Sequence, residues 1–397
     1  GENSLYGDFF GLDDLFTEKP EVQDGLIQVF EDMVTDFDID GFRIDTVKHV
    51  NDEFWEAFGP ELEAHAASLG KPDFFMFGEV FDSNPAFTSR FTTELPLDAV
   101  LDFGFQSTAR NFASQGGPTD NLAGLFGTDD YYTDADSNAS SLPTFLGNHD
   151  MGRIGLFLDQ DNPGATDAEL VARDELAHAL MYFGRGMPVL YYGDEQGFTG
   201  DGGDKDARQD MMPSLVGSYN DDDLIGTDAT TADANFDQTH PLYQTLSDFG
   251  SLVAAHPALQ RGAQLHRFSE GSAGVYAFSR IERSERLEYV LALNNSESPD
   301  SATVRTDSPA TTFTELWPGT GPAVASDATG NLTVDVPGLG VRLYRADAPI
   351  ATPTIPPVVT MTSPTAGAEV LGRFEIGAGL SLPGYAEVTF AVSVDGG

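Results

Sequence analysis

Three apolar, strand-like runs in this chain each stop on an acid. They are Gly41-Phe42-Arg43-Ile44-Asp45, Phe74-Phe75-Met76-Phe77-Gly78-Glu79 and Phe145-Leu146-Gly147-Asn148-His149-Asp150. A buried parallel strand favours apolar residues, so a carboxylate at its C-terminal end needs a reason other than packing. In barrel and doubly wound α/β folds that end of the strand is where catalytic groups sit. Paired carboxylates, one a nucleophile and one a proton donor, are the usual equipment for cutting glycosidic bonds. Arg43 and Asp45 are two apart, so on a strand their side chains share a face and the guanidinium can orient the carboxylate. Glu79 follows a bulky apolar run, surroundings in which a carboxyl group keeps its proton and can donate it. Asp150, beside Asn148 and His149, adds a third carboxylate and partners for sugar hydroxyls. Taken singly, each has a plainer reading: a strand-end salt bridge for Asp45, a helix cap or loop acid for Glu79, a hydrogen-bonded core histidine for His149.

The elements that must position these acids alternate along the chain. Apolar residues at helical spacing over 20–37, with Pro20 leading, predict a helix before the strand 41–45. Phe54, Trp55, Phe58, Leu62 and Ala66 mark a second helix before the strand 73–79. A helix near 84–92, a short run Ala99–Phe103 and helical pieces near 107–127 come next. The strand 143–148, a helix across 167–184, the strand Met187–Tyr192 and a helix across 241–255 complete this part. Five strands separated by helices imply a parallel sheet with right-handed crossovers. From about residue 264 the runs are strand-like without helices between them, as in Val275–Phe278, Glu288–Leu293 and Val341–Tyr344, which predicts an antiparallel β domain. The Pro-rich stretch Ala351–Pro357 reads as a stiff linker. Beyond it, Val358–Thr362 and Glu387–Val394 read as strands of an immunoglobulin-like sandwich that the chain does not complete.

Composition narrows the function classes. The 397 residues suffice for two or three domains with large cores. A net charge of −44, from 64 acidic and 20 basic residues, argues against nucleic-acid binding, which needs Lys and Arg. It suits the solvated surface of a secreted or salt-exposed protein. No run of about 18 apolar residues exists, so no membrane span is expected. The absence of cysteine removes disulfides, thiolate metal sites and cysteine nucleophiles. Gly1-Glu2-Asn3-Ser4 carries no signal-peptide pattern, and both ends read as cuts in a longer polypeptide.

Together the three acid-bearing segments closely resemble the α-amylase family of glycoside hydrolases. GFRIDTVKHV (41–50) matches the segment carrying the family's nucleophile, FGEV (77–80) the acid/base segment and FLGNHD (145–150) the third-carboxylate segment. GMPVLYYGDE (186–195) looks like the last barrel strand, and GLDDL (11–15) resembles the signature near the end of the inserted domain B. The resemblance implies a (β/α)8 TIM-barrel catalytic domain at 1–262, of which about the last five βα units are present. An antiparallel β-sandwich domain at 263–347, a linker at 348–357 and a partial immunoglobulin-like β domain at 358–397 would follow. The family's early Asp/Asn-His segment has no match before Gly41, so the acids are expected on an incomplete barrel.

Carried over position by position, the resemblance implies Asp45 as nucleophile, Glu79 as acid then base, and Asp150 as stabiliser of the distorted sugar. Arg43, Lys48, His49 and His149 would bind substrate. Many members hold calcium through an acid at the Asp14 position and the backbone carbonyl at the His49 position. The Asp-rich stretches 159–169 and 201–210 lack the spacing of a twelve-residue calcium loop and read as solvated loops. The implied protein is a bacterial, secreted, monomeric, retaining endo-acting α-1,4-glucan hydrolase acting on starch-like polysaccharide. Cyclodextrin-forming or other transglycosylating enzymes of the family are the alternative, and a catalytically dead glucan-binding scaffold is a third. Tyr131, Tyr132 and Tyr192 are candidates to stack on sugar rings, whereas Trp55 on its helix is expected in the core.

Overall fold

The computed structural model describes residues 8–9, 11–381, 384–391 and 393. The expectations placed on residues 1–4 and 394–397 lie outside the described residues. A two-residue antiparallel pair, β1 (Asp8–Phe9) and β2 (Leu12–Asp13), precedes α1 (Pro20–Phe37). Pro20 occupies the first turn of α1, where its missing N–H costs nothing, and Asp38 ends the helix in a left-handed conformation. There follow β3 (Gly41–Ile44), α2 (Asp52–Ser68) and β4 (Phe75–Gly78). The helix expected near 84–92 is two single turns, α3 (Pro85–Thr88) and α4 (Arg90–Thr93), hinged at Ser89. Next come β5 (Ala99–Val100), α5 (Phe103–Ala109) and α6 (Asp120–Phe126). β6 (Pro143–Phe145), α7 (Ile154–Asp161), α8 (Asp167–Phe183), β7 (Met187–Val189), α9 (Pro241–Ala255) and α10 (Pro257–Arg261) complete the alternation.

The three strand pairings described among β3–β7 are all parallel. β3, β4 and β5 form one sheet, and β6 pairs with β7 in another. Two amides join the sheets: Leu101 N–H donates to Gly78 O at 3.0 Å, and Asp102 N–H donates to Pro143 O at 3.0 Å. The chain after β5 therefore bonds to β4 on one side and β6 on the other. Asp102 also caps α5 by accepting from Phe105 N–H at 2.7 Å. Its other oxygen meets the buried Arg185 Nη1 at 2.5 Å, and Arg185 Nη2 reaches Asp129 at 2.8 Å. β6 and β7 are shorter than the runs that predicted them, because the apolar residues beyond them turn into loops carrying polar groups.

The sheet β3–β4–β5 buries its helix-facing side against α1 and α2. The Phe42 ring lies 5.3 Å from both Phe30 and Phe74 in edge-to-face contact, and Phe54, Trp55 and Phe58 of α2 extend the same core. α8 starts on a Thr166 cap that accepts from Glu169 N–H, the capping-box spacing.

After α10 the chain builds β8 (Ala263–Phe268), β9 (Val275–Ile281), β10 (Glu288–Asn294), β11 (Asp300–Arg305), β12 (Thr312–Trp317), β13 (Val324–Ala325), β14 (Asn331–Val336) and β15 (Gly340–Ala346). Six of these form an antiparallel sheet in the order β13-β12-β15-β10-β9-β8, and β11 pairs with β14 opposite it. Every residue of β9 and β10 is buried. The period-2 alternation explains this: Val275 and Ala277 face β11 and β14, while Tyr276 and Phe278 face α8 and α9. Last, β16 (Val359–Ser363) pairs antiparallel with β17 (Gly377–Leu380).

One strand expectation fails. Residues 387–391 carry no ladder, and β16 takes Gly377–Leu380 as its partner instead. Alternating polarity describes a face, but a strand also needs a neighbour for its N–H and C=O groups. Positions 392 and 394 of that expected strand lie outside the described residues.

Candidate active site

β3 and β4 run parallel in a register that pairs Arg43 with Phe77 and Ile44 with Gly78. Carried one residue further, that register sets Asp45 level with Glu79. The backbone holds it there: Glu79 N–H donates to Ile44 O at 2.7 Å, and Val47 N–H donates to Glu79 O at 3.0 Å. Between them Thr46 adopts a left-handed conformation, φ 52°, and aims its N–H at Glu79 Oε2, 3.0 Å away. Gly78 makes the close approach feasible, because a Cβ there would stand 2.7 Å from Val47 Cγ2.

Arg43 joins the two acids. One terminal nitrogen donates to Asp45 Oδ1, and the other stands 3.8 Å from Glu79 Oε2. The Asp45 side chain is 64% exposed, whereas that of Glu79 is 12% exposed. The apolar run before Glu79 predicts apolar company for its carboxyl group; the strand is indeed apolar, but the carboxyl faces Arg43 and the Thr46 amide. The reason is geometric. Phe75 and Phe77 belong to the strand's pleat, while Glu79 lies beyond its last ladder residue, where the polar turn 45–47 crosses.

Asp150 stands on the second sheet, in the loop after β6. Asn148 Oδ1 accepts from the amides of Asp150 and Met151 at 2.9 and 2.8 Å, an Asx turn that presents the acid. His149 Nε2 lies 3.3 Å from Asp150 Oδ2, and Arg208 Nη2 lies 3.5 Å from Oδ1. Asp204 N–H donates to Asp150 O at 2.8 Å, and Arg208 Nε donates to His149 O at 3.3 Å. The loop after β7 thus grips the third acid from below. Sequence reasoning missed Arg208 and the Thr46 amide; both act across tens of residues and leave no local signal. Lys48 Nζ donates to Phe81 O at 2.8 Å, which places the Lys48 ammonium beside the strand end that bears Glu79.

The aromatic candidates separate by burial. Tyr132 is 6% exposed with its hydroxyl bonded to Thr88 at 2.6 Å, so it packs and does not stack on a ligand. Trp55 is 3% exposed and donates to Val47 O. Tyr131 is half-exposed with Arg373 over its ring, 5.3 Å from the centroid. Tyr192 is half-exposed, with Arg153 5.0 Å from its ring centroid.

These residue patterns have counterparts. Residues 1–265 match the family model described as "Alpha amylase, catalytic domain". The chain belongs to the α-amylase family. It is 48% identical over its whole length to the "Alpha-amylase" of Streptomyces lividans, 43% of which it covers. It is 29% identical over 368 residues to the "Cyclomaltodextrin glucanotransferase" of Bacillus licheniformis, spanning 89% of this chain and 44% of that protein. Among solved structures, the Anoxybacillus α-amylase superposes with a TM-score of 0.68 at 26% identity, covering 86% of this chain and 66% of that one. The chain spans less than half the length of these two curated relatives. Family membership carries the TIM-barrel class of catalytic domain followed by a β domain.

Calcium is the ion the family implies. Asp14 is exposed, and the segment bearing it is tied to the turn bearing His49 by Thr17 Oγ1 donating to Asn51 Oδ1 at 2.6 Å. One carboxylate and one carbonyl are well short of the six to eight oxygens calcium takes. As a donor set in this chain, Asp14 and His49 do not fit the ion by themselves. No described helix is long and apolar enough to cross a membrane.

Proposed function

We propose that this chain supplies the catalytic residues of a retaining, endo-acting α-1,4-glucan hydrolase acting on starch-like polysaccharide. The observation that carries the reading is the Arg43 guanidinium set between Asp45 and Glu79. A retaining glycosidase needs its two carboxyl groups about 5–5.5 Å apart, and two acids sharing one guanidinium suit that separation. In this reading Glu79 protonates the glycosidic oxygen while the Asp45 carboxylate bonds to the anomeric carbon and the leaving chain departs. Glu79, now a carboxylate, takes a proton from water, whose oxygen displaces Asp45 and restores the free acid pair. Asp150 and His149 hold the distorted ring's hydroxyls, Lys48 and His49 the sugar beyond the cut, and Arg43 keeps the nucleophile aligned.

The same proposal divides the chain into a barrel part at 1–262, a β-sandwich at 263–347, a linker at 348–357 and a further β domain from 358. β3–β7 then correspond to five strands of an eight-stranded barrel. A bacterial secreted setting is part of this reading, supported by the Streptomyces relative and the acidic composition, and a monomeric state is proposed with it.

The test is product analysis on soluble starch with the purified protein. Linear oligosaccharides released first as the α-anomer are expected, read by NMR. Cyclic products would move the assignment to a transglycosylase; β-anomers, or glucan binding without turnover, would sink it.

A further inference from the structure

We propose that Asp201, Asp221 and Asp222 form a binding site for a hard divalent cation of the calcium class. Each offers a carboxylate oxygen, and the three oxygens lie within 4.8 Å of one another. Asp201 and Asp221 are exposed, but Asp222 is only 7% exposed. Its Oδ2 is buried without a hydrogen-bond partner. A buried carboxylate oxygen left unpaired is costly, and two more acids beside it add repulsion. A divalent cation removes both costs at once, and three carboxylates supply three to six of the oxygens such an ion takes.

The cluster's position gives the ion a role. Asp201 opens the segment that delivers Asp204 and Arg208 to Asp150. Asp222 is anchored on the other side of the loop, where its N–H donates to Thr231 Oγ1 and its carbonyl accepts from Thr231 N–H, both at 3.1 Å. A cation between them clamps the two arms of the loop after β7, and so fixes Arg208 against the third acid. The site uses none of the Asp14 and His49 donors, and it gives part of the stretch 201–210 a role beyond that of a solvated loop.

The protein is stripped with EGTA and titrated by calorimetry with calcium chloride, and separately with magnesium chloride, while its melting temperature is followed. Asp222→Asn and Asp201→Asn are each expected to lose one equivalent of bound calcium and the matching rise in melting temperature. Asp14→Asn is expected to keep that equivalent. Both variants binding as much calcium as the parent protein would overturn the site, as would loss in only one of two folded variants. A response to magnesium with none to calcium would overturn the ion class. If Asp222→Asn does not fold by circular dichroism, the exposed Asp201→Asn decides the question alone.

Discussion

The amide of Glu79 donates to the carbonyl of Ile44 at 2.7 Å. The peptide unit just before Asp45 is therefore bonded to the residue that carries the second acid. The proposed nucleophile and proton donor are positioned by a sheet ladder that continues one residue past the strands, and only their final aim depends on side chains.

Glu79→Gln tests the proton donor. The amide oxygen retains an acceptor for the Thr46 N–H, so the fold should be unaffected. kcat on starch should fall by about 10²–10⁴. A glucoside with an activated aryl leaving group needs no protonation and should recover the first step, seen as a burst of released phenol. Undiminished starch turnover would refute the role.

Arg43→Lys tests alignment. A lysine carries the charge but not the two-pronged geometry that reaches Asp45 and Glu79 together. We expect about a 10²-fold loss in kcat with little change in KM, the pattern of a misplaced reacting group. A loss confined to KM would instead assign Arg43 to substrate binding.

Trp55→Ala separates packing from sugar contact. Its ring is buried among Phe54 and Phe58, so removal should destabilise the fold by about 3–5 kcal/mol. Trp55→Phe should recover most of that stability and leave KM for starch unchanged. A raised KM in the phenylalanine variant would contradict the core assignment.

Asp194 predicts a pH signature of stability. Burial pushes its carboxyl up to about 7, with Arg153 and His178 opposing the rise and Asp174 and Glu195 adding to it. The folded chain thus holds this proton at pH values where the unfolded chain has lost it. The contribution is full below about pH 4 and disappears as pH rises through about 7. Relative to Asp194→Asn, the parent protein should lose melting temperature steadily from pH 4 to 7. A flat difference across that range would rule out Asp194 as the source.

The parts of the molecule legible from sequence were those governed by short-range pattern. An apolar run ending in an acid located the ends of β3, β4 and the loop after β6, and α1, α8 and α9 followed from periodicity and caps. Arg43 and Asp45 could be paired because a strand's period is two. What pattern could not supply was contact across the chain: Thr46 N–H on Glu79, Arg208 on Asp150, and the meeting of Asp201 with Asp221 and Asp222. The surroundings of Glu79 differ from the apolar company its sequence predicts, because its neighbours in sequence lie in the sheet, whereas its neighbours in space belong to the turn after β3. Tyr132 looked available for stacking until burial and the Thr88 hydroxyl accounted for it.

Asp45 and Glu79 stand on one sheet and Asp150 on the other, and residues 101–102 bond to both sheets. That short stretch is a seam through which the two sheets are bonded to each other. Substitutions there, or at Arg185 and Asp129 that hold Asp102, are expected to shift the acid pair relative to the third acid while leaving all three acids in place. The relative placement of the three acids therefore rests on a buried seam that contains none of them.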